Sequence, residues 1–219
     1  MDYEKAVEDF YTSILRPGHV VVDCGAHIGR HTEPMRHLVG ETGHVFAFEP
    51  LPKAFSALKA KFTGYSNVTL HNCALGTEAG ETSFVFVPDF PEYSGFQERI
   101  YHDDNIKREN ITVSVRRLDE IVPNEGIRYI KIDAEGGDLL IIRGSEGIIE
   151  KSRPFITFEL GNNSLINYNY TAEDYFDFLS SKNYRLSNIL GEVLDRNAFV
   201  ESSALQNVWD YIAAPNPVS

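Results

Sequence analysis

The stretch VVVDCGAHIGRHT, residues 20–32, decides the fold. The β-branched run His19–Val22 reads as a buried strand that ends at Asp23. Gly25 and Gly29 follow directly, four residues apart. Glycine permits a tight turn and a close approach of the backbone to a ligand. From this turn to about Val39 the chain reads as helix. His44–Phe48 is then a second strand, ending at Glu49. Pro52 opens the next helix at its first turn, with Phe55, Leu58 and Phe62 on one face. Asn67–His71 is a third strand. Strand, helix, strand, helix, strand predicts right-handed crossovers and an α/β fold of Rossmann-like type. Its central sheet is mostly parallel, with helices on both faces.

Further out the pattern changes. Tyr3, Val7, Phe10, Tyr11 and Ile14 recur at helical spacing, which predicts an N-terminal helix over 3–15, stopped by Arg16-Pro17-Gly18. Thr82–Val87 and Ile111–Val115 read as two strands around an irregular stretch, 88–110. They form an insertion over about 82–115, between the third and fourth core strands. Ile127–Ile132 resumes the core and ends at Asp133, a helix from about Gly137 to Arg143 stops at Gly144, and Phe155–Phe158 ends at Glu159. Thr171 caps a helix through about Lys182 with Tyr175, Phe176 and Leu179 inward. The tail, Tyr184–Ala213, reads as strands with a turn at Gly191-Glu192. No linker interrupts residues 1–219, so one domain is expected.

The chain carries 32 acids against 20 Lys and Arg, a formal charge of −12. A protein that tracks a phosphate backbone shows a basic footprint, so nucleic acid is disfavoured as the main partner. No apolar run approaches the roughly 20 residues of a membrane span. The start lacks the apolar stretch of a secretory signal, and Cys24 and Cys73 match no CxxC pattern. Both read as reduced core thiols, and an intracellular, cytoplasmic location is expected.

Four core strands end on an acid: Asp23, Glu49, Asp133 and Glu159. In an open parallel sheet the ligand crevice lies beyond the carboxyl ends of the strands, so these distant acids converge. A dinucleotide site would use GxGxxG, but position 27 is His, and no GK[ST] marks a P-loop. An acid before the first glycine suits positive charge better than a pyrophosphate. Glu49 is placed to accept hydrogen bonds from both hydroxyls of a ribose. A nucleoside with a cationic end fits, and S-adenosylmethionine has an ammonium, a sulfonium and a ribose but no phosphate.

Several segments together carry a resemblance. They are VVVDCGAHIGRHT, FAFEP (46–50), NVTLHNCALG (67–76), VRRLDEI (115–121), IRYIKIDAEGGD (127–138) and RPFITFELG (153–161). The chain resembles the FkbM family of class I S-adenosylmethionine-dependent methyltransferases from about residue 18 to 161. The resemblance implies that Asp23, Cys24, Gly25 and Gly29 surround the methionine part of the cofactor. It implies that Glu49 and Pro50 hold the ribose side, and that Leu51, Asn72, Cys73 and Ala74 lie along the adenine. Asp133 and Glu135 would sit beside the reactive methyl group. His27 and His31 take no assigned role and read as polar loop residues.

The family implies O-methylation, often of sugars (deoxyhexoses such as rhamnose or fucose) or polyketide-type alcohols. A hydroxyl is a poor nucleophile until its proton leaves, which calls for a general base or an acidifying metal. Two mechanisms stay open. Asp133 or Glu135, with Glu159 nearby, takes the proton directly. Alternatively Asp133, Glu159 and Asn162 hold Mg²⁺ or a similar hard cation that binds the acceptor. The insertion is the candidate for acceptor selection through Tyr93, Ser94, Phe96 and Tyr101, with Asn162 beyond the fifth core strand. Two rivals remain: a nucleic-acid methyltransferase and a cofactor-binding protein without catalysis. The charge opposes the first, as does the lack of an Asn/Asp-Pro-Pro-aromatic tetrapeptide.

Overall fold

The computed structural model describes residues 2–98, 105–161 and 165–217. Helix α1 spans Tyr3–Ile14; the Asp2 carboxylate caps it by accepting from the Lys5 N–H, and Val7 and Tyr11 are its buried face. β1 (Val20–Cys24), α2 (Thr32–Val39), β2 (His44–Phe48), α3 (Pro52–Phe62) and β3 (Val68–His71) follow in the expected alternation. A short β4 (Ala74–Leu75) precedes β5 (Gly80–Phe86), a 3₁₀ turn at Pro91–Tyr93, and β6 (Glu109–Arg116). Then come α4 (Leu118–Ile121), β7 (Ile127–Ile132), α5 (Asp138–Arg143), α6 (Glu146–Lys151) and β8 (Phe155–Glu159). The chain ends with α7 (Ala172–Ser181), β9 (Tyr184–Asn188), β10 (Val193–Leu194), α8 (Arg196–Leu205) and β11 (Asp210–Pro215).

The main sheet has the order β10-β9-β11-β8-β7-β1-β2-β3. β3, β2, β1, β7 and β8 run parallel, and β11 enters antiparallel between β8 and β9. The chain starts at β1 in the middle and winds outward on both sides. The carboxyl ends of β1, β2, β7 and β8 therefore share one edge. The insertion forms a separate three-stranded sheet, β4-β6-β5, in which β5 and β6 pair antiparallel from Gly80↔Val115 to Phe86↔Glu109.

The pleat sends alternate residues to opposite faces. Val21 and Tyr129 join Val7 and Tyr11 of α1 and Met35 and Val39 of α2. Val22, Ile130 and Ile132 face Leu139, Ile142, Tyr175 and Leu179. Phe158 lies nearly parallel to Tyr175 and Tyr211, at 5.5 and 5.9 Å between centroids. Each such side chain contributes about 1.5–3 kcal/mol by leaving water.

One sequence expectation is corrected. The tail is not all strand, because Arg196–Leu205 is helical. The Asp195 carboxylate accepts from the Ala198 N–H and starts it, and Phe199 alone among its large apolar residues is fully buried. With so weak an apolar stripe, no helical period is visible in that segment. Among the described residues, no helix is long and apolar enough to cross a membrane.

Candidate active site

The acids at the strand ends meet around one cavity of about 350 Å³ at the carboxyl edge of the sheet. That lies within the roughly 300–1,000 Å³ of small-molecule and cofactor sites. Asp23, Glu49, Asp133 and Glu159 all line it, as do Cys24, Gly25, Pro50, Leu51, Cys73, Ala74 and Glu135. Both thiols are free and buried.

The turn after β1 is shaped by the protein's own packing. Gly25 has φ +79°, and a Cβ there would lie 2.0 Å from the carbonyl oxygen of Asp133. Only glycine lets this loop press on the end of β7. Gly29, at φ +84°, would put a Cβ 2.4 Å from the Phe62 ring. It admits α3 and is not part of the cavity wall. The Gly25 and Ala26 N–H groups donate to the Phe48 carbonyl at 3.0 and 2.9 Å, folding the loop across the end of β2.

Glu49 is locked between two loops. Its Oε2 accepts from the His27 N–H at 2.8 Å and its Oε1 from the Leu51 N–H at 2.7 Å. The residue is only 4% exposed, and burial lifts its carboxyl to about 7 against those two bonds. Asn72 donates to the carbonyls of Glu49 and Pro50 at 2.8 and 3.1 Å. It braces the β2–α3 loop and does not join the cavity wall, whereas Cys73 and Ala74 do.

Beyond β7, Glu135 has φ +50° and Gly136 φ +94°, so the Asp133–Gly137 loop is sharply folded. Asp133, Glu135 and Glu159 each place a carboxylate oxygen within 4.8 Å of the others. Asp138, fully buried at the head of α5, ties the two strand ends together. It accepts from the Ala134 N–H at 3.3 Å and the Glu159 N–H at 3.1 Å. Burial, then the charge of Asp133, raises its carboxyl to about 7. Asp210, opposite Glu159 on β11, is raised to about 7 for the same two reasons.

Sequence reasoning missed two groups. Lys131 sits on β7 inside an apolar run, 4% exposed, with its Nζ donating to Asp133 Oδ2 at 3.1 Å. The other is on α1. His31 lies in the turn that leads into α2, as expected of a loop histidine, but it is buried: its Nε2 contacts the Glu4 carboxylate and its Nδ1 the Tyr11 hydroxyl at 3.2 Å. Hydrogen bonding to His31, opposed by burial, holds the Glu4 carboxyl down at about 2. Glu4 and His31 both line the cavity.

The insertion supplies another wall. The Ser94 hydroxyl accepts from the Val87 N–H at 3.0 Å, and Gly95 and Val85 exchange backbone bonds. Phe96 meets Phe84 edge-to-face at 5.5 Å. Ser94 and Phe96 reach the cavity, while Tyr93 stacks on Phe90 at 5.6 Å outside its wall. Tyr101 and Asn162 lie outside the described residues.

The raised carboxyls predict a pH dependence. Glu49, Asp138 and Asp210 hold protons to about 7 when folded, and their ordinary values are 4.5, 3.8 and 3.8. Between those limits the folded state binds more protons, so stability falls as pH rises. Glu4 acts oppositely, and its contribution disappears only as pH falls from about 4.5 towards 2. The ligand-free protein is expected to lose about 2 kcal/mol or more between pH 5 and pH 8. Urea unfolding at both values checks this, and a midpoint that rises with pH would refute it.

A sheet that starts in the middle and turns its acids towards one edge cavity is the class I S-adenosylmethionine-dependent methyltransferase fold. Solved structures share it at low identity. A methyltransferase FkbM from Methylobacillus flagellatus KT aligns with TM-score 0.55 and 17% identity, covering 94% of this chain and 50% of that one. A protein proposed to be an rRNA methylase from Clostridium thermocellum aligns with TM-score 0.58 and 15% identity, over 100% and 98%. A proposed methyltransferase of Streptococcus mutans, solved with SAH, gives 0.54 and 12%, over 97% and 98%. Residues 23–186 match the Methyltransferase FkbM domain, and the chain belongs to that family. It is 31% identical over 160 residues to the 31-O-demethyl-FK506 methyltransferase FkbM of Streptomyces tacrolimicus. The match covers 60% of this chain and 61% of that relative's length.

Proposed function

We propose that this chain transfers the methyl group of S-adenosylmethionine to a hydroxyl oxygen, acting as one domain in the cell interior. The acceptor is a sugar, a glycan or a natural-product alcohol. One observation carries the reading: Asp23, Glu49, Asp133 and Glu159 wall a single cavity at the sheet's carboxyl edge. The donors and acceptors present fit the cofactor. Asp23 is 0% exposed, and among the described residues its Oδ1 has no hydrogen-bond partner and only the Lys131 ammonium at 4.0 Å, so it suits a cationic donor. Each Glu49 oxygen keeps a second lone pair for a ribose hydroxyl. Leu51, Cys73 and Ala74 offer an apolar wall for a base. The Streptomyces relative is named for a 31-O-demethyl compound, which supports an oxygen acceptor.

The cofactor supplies an electrophilic methyl group on a sulfonium, already an excellent leaving group. The chain's own residues align and deprotonate. Ser94 and Phe96 bound the acceptor side, and exclusion of water there supports an in-line approach. Asp133 takes the hydroxyl proton, with Glu135 and Glu159 beside it. A positioned base contributes roughly 10²–10⁴-fold. The same three carboxylates also suit a hard cation such as Mg²⁺, and that clustering favours metal assistance as the second reading.

Calorimetric titration with S-adenosylmethionine, then methyl transfer to rhamnose, fucose and a macrolide alcohol with and without EDTA, tests both. Binding and EDTA-resistant transfer are expected. No detectable binding sinks the proposal. Loss of transfer in EDTA, restored by Mg²⁺, moves the mechanism to the metal. Transfer to RNA alone would favour the nucleic-acid reading, against the charge of −12.

A further inference from the structure

Among the described residues, six carboxyl groups line the cavity: Glu4, Asp23, Glu49, Asp133, Glu135 and Glu159. Two strong bases among the described residues line it with them, Arg30 and Lys131. Arg30 is nearly half exposed and pairs with Glu4 and Glu8 at 3.5 and 3.4 Å. Lys131 is different. It stands opposite Asp23 in the β1–β7 register, with its Nζ 3.1 Å from Asp133 Oδ2 and 4.0 Å from Asp23 Oδ1. Asp23 Oδ2 accepts from the Thr32 hydroxyl at 2.6 Å, and Oδ1 is buried beside Lys131 with no hydrogen-bond partner among the described residues.

An ammonium buried on a strand loses its hydration, a cost repaid only by close opposite charges. Burial pulls the Lys131 pKa down, but the charges of Asp133 and Asp23 outweigh it and keep the group protonated. Tyr129, two residues earlier on the same strand face, is packed among apolar neighbours. Methionine is close to lysine in length and bulk, so exchanging one for the other at 131 changes mainly the charge of the cavity.

We infer that Lys131 sets how strongly the cavity distinguishes a cationic nucleoside from its neutral counterpart. The inference rests on the cofactor reading above. S-adenosylmethionine and S-adenosylhomocysteine differ by one methyl group and one positive charge. A cavity with six acids and no buried cation would hold the cation far more tightly than the neutral thioether. Lys131 cancels one acid at the place where Asp23 and Asp133 face each other. The expected size is roughly tenfold, since a unit charge changes binding by about that factor at a separation of roughly 10 Å and an effective dielectric of about 20.

The test is calorimetric titration of both ligands at pH 8 into the wild-type chain, Lys131→Met and Lys131→Arg. The ratio of the two dissociation constants, thioether over sulfonium, is the readout. Lys131→Met is expected to raise it about tenfold, and Lys131→Arg to keep it near wild type. If Lys131→Met does not fold, as judged by circular dichroism, Lys131→Gln carries the same expectation. A ratio unchanged in the neutral variants, with both ligands still bound, overturns the inference. So does an arginine variant that shifts the ratio as far as methionine does, since that would make the effect one of packing. If the wild-type chain binds neither ligand, the cofactor reading falls and this inference falls with it.

Discussion

Asp133→Asn is expected to lower turnover by about two to three orders of magnitude, within the roughly 10²–10⁴ that a positioned base supplies. The substitution is nearly isosteric. The amide oxygen can still accept from Lys131 Nζ, now 3.1 Å from the carboxylate, and the backbone carbonyl still faces Gly25. Geometry is kept and proton uptake is lost. Cofactor affinity should fall by no more than about tenfold, the effect of one charge across the cavity. Single-turnover methyl transfer beside calorimetry separates the two effects. Full activity in the variant would remove Asp133 from the proton transfer and leave Glu135 or Glu159 as the base.

Glu49→Ala should weaken S-adenosylmethionine binding about a hundredfold. At pH 8, above the raised value of about 7 for this carboxyl, two hydrogen bonds to a charged acceptor are lost, each worth about 1.5–3 kcal/mol, less what water regains in the emptied space. The variant also unpairs the N–H groups of His27 and Leu51. Part of the loss is therefore disorder in two loops. Glu49→Gln separates these contributions, since its side-chain oxygen can still accept one N–H. An intermediate affinity is expected for it, and thermal melts should show both variants folded. Unchanged affinity in the alanine variant would end the ribose role for Glu49.

The core was legible because its signals are local. Val20–Val22, His44–Phe48 and Ile127–Ile132 announce buried parallel strands by composition, and the acids that end them fall at one edge by topology alone. Roles that depend on register or on direction were not legible. Lys131 meets Asp23 only because β1 and β7 pair in one particular register, 108 residues apart in the chain. Asn72 belongs to a recognisable segment, yet its amide turns back to brace the β2–α3 loop. In sequence Gly25 and Gly29 read as making room for a ligand, but the close approaches they permit in the structure are to Asp133 and Phe62. Asp138 looks in sequence like one more helix-leading acid, and only burial shows it joining two strand ends. Arg196–Leu205 hides its helix because its start is set by a cap and not by a stripe.

The N-terminal helix has a consequence for how this protein could be recombined with its relatives. The matched family region begins at residue 23, yet Glu4 stands in the cavity wall and reaches His31 across that boundary. A chimera that kept the core and took its helix from elsewhere would leave a buried imidazole facing a foreign surface. The working unit of inheritance is therefore larger than the recognisable one. Position 4 and position 31 have to travel together, although one of them lies outside the region that defines the family.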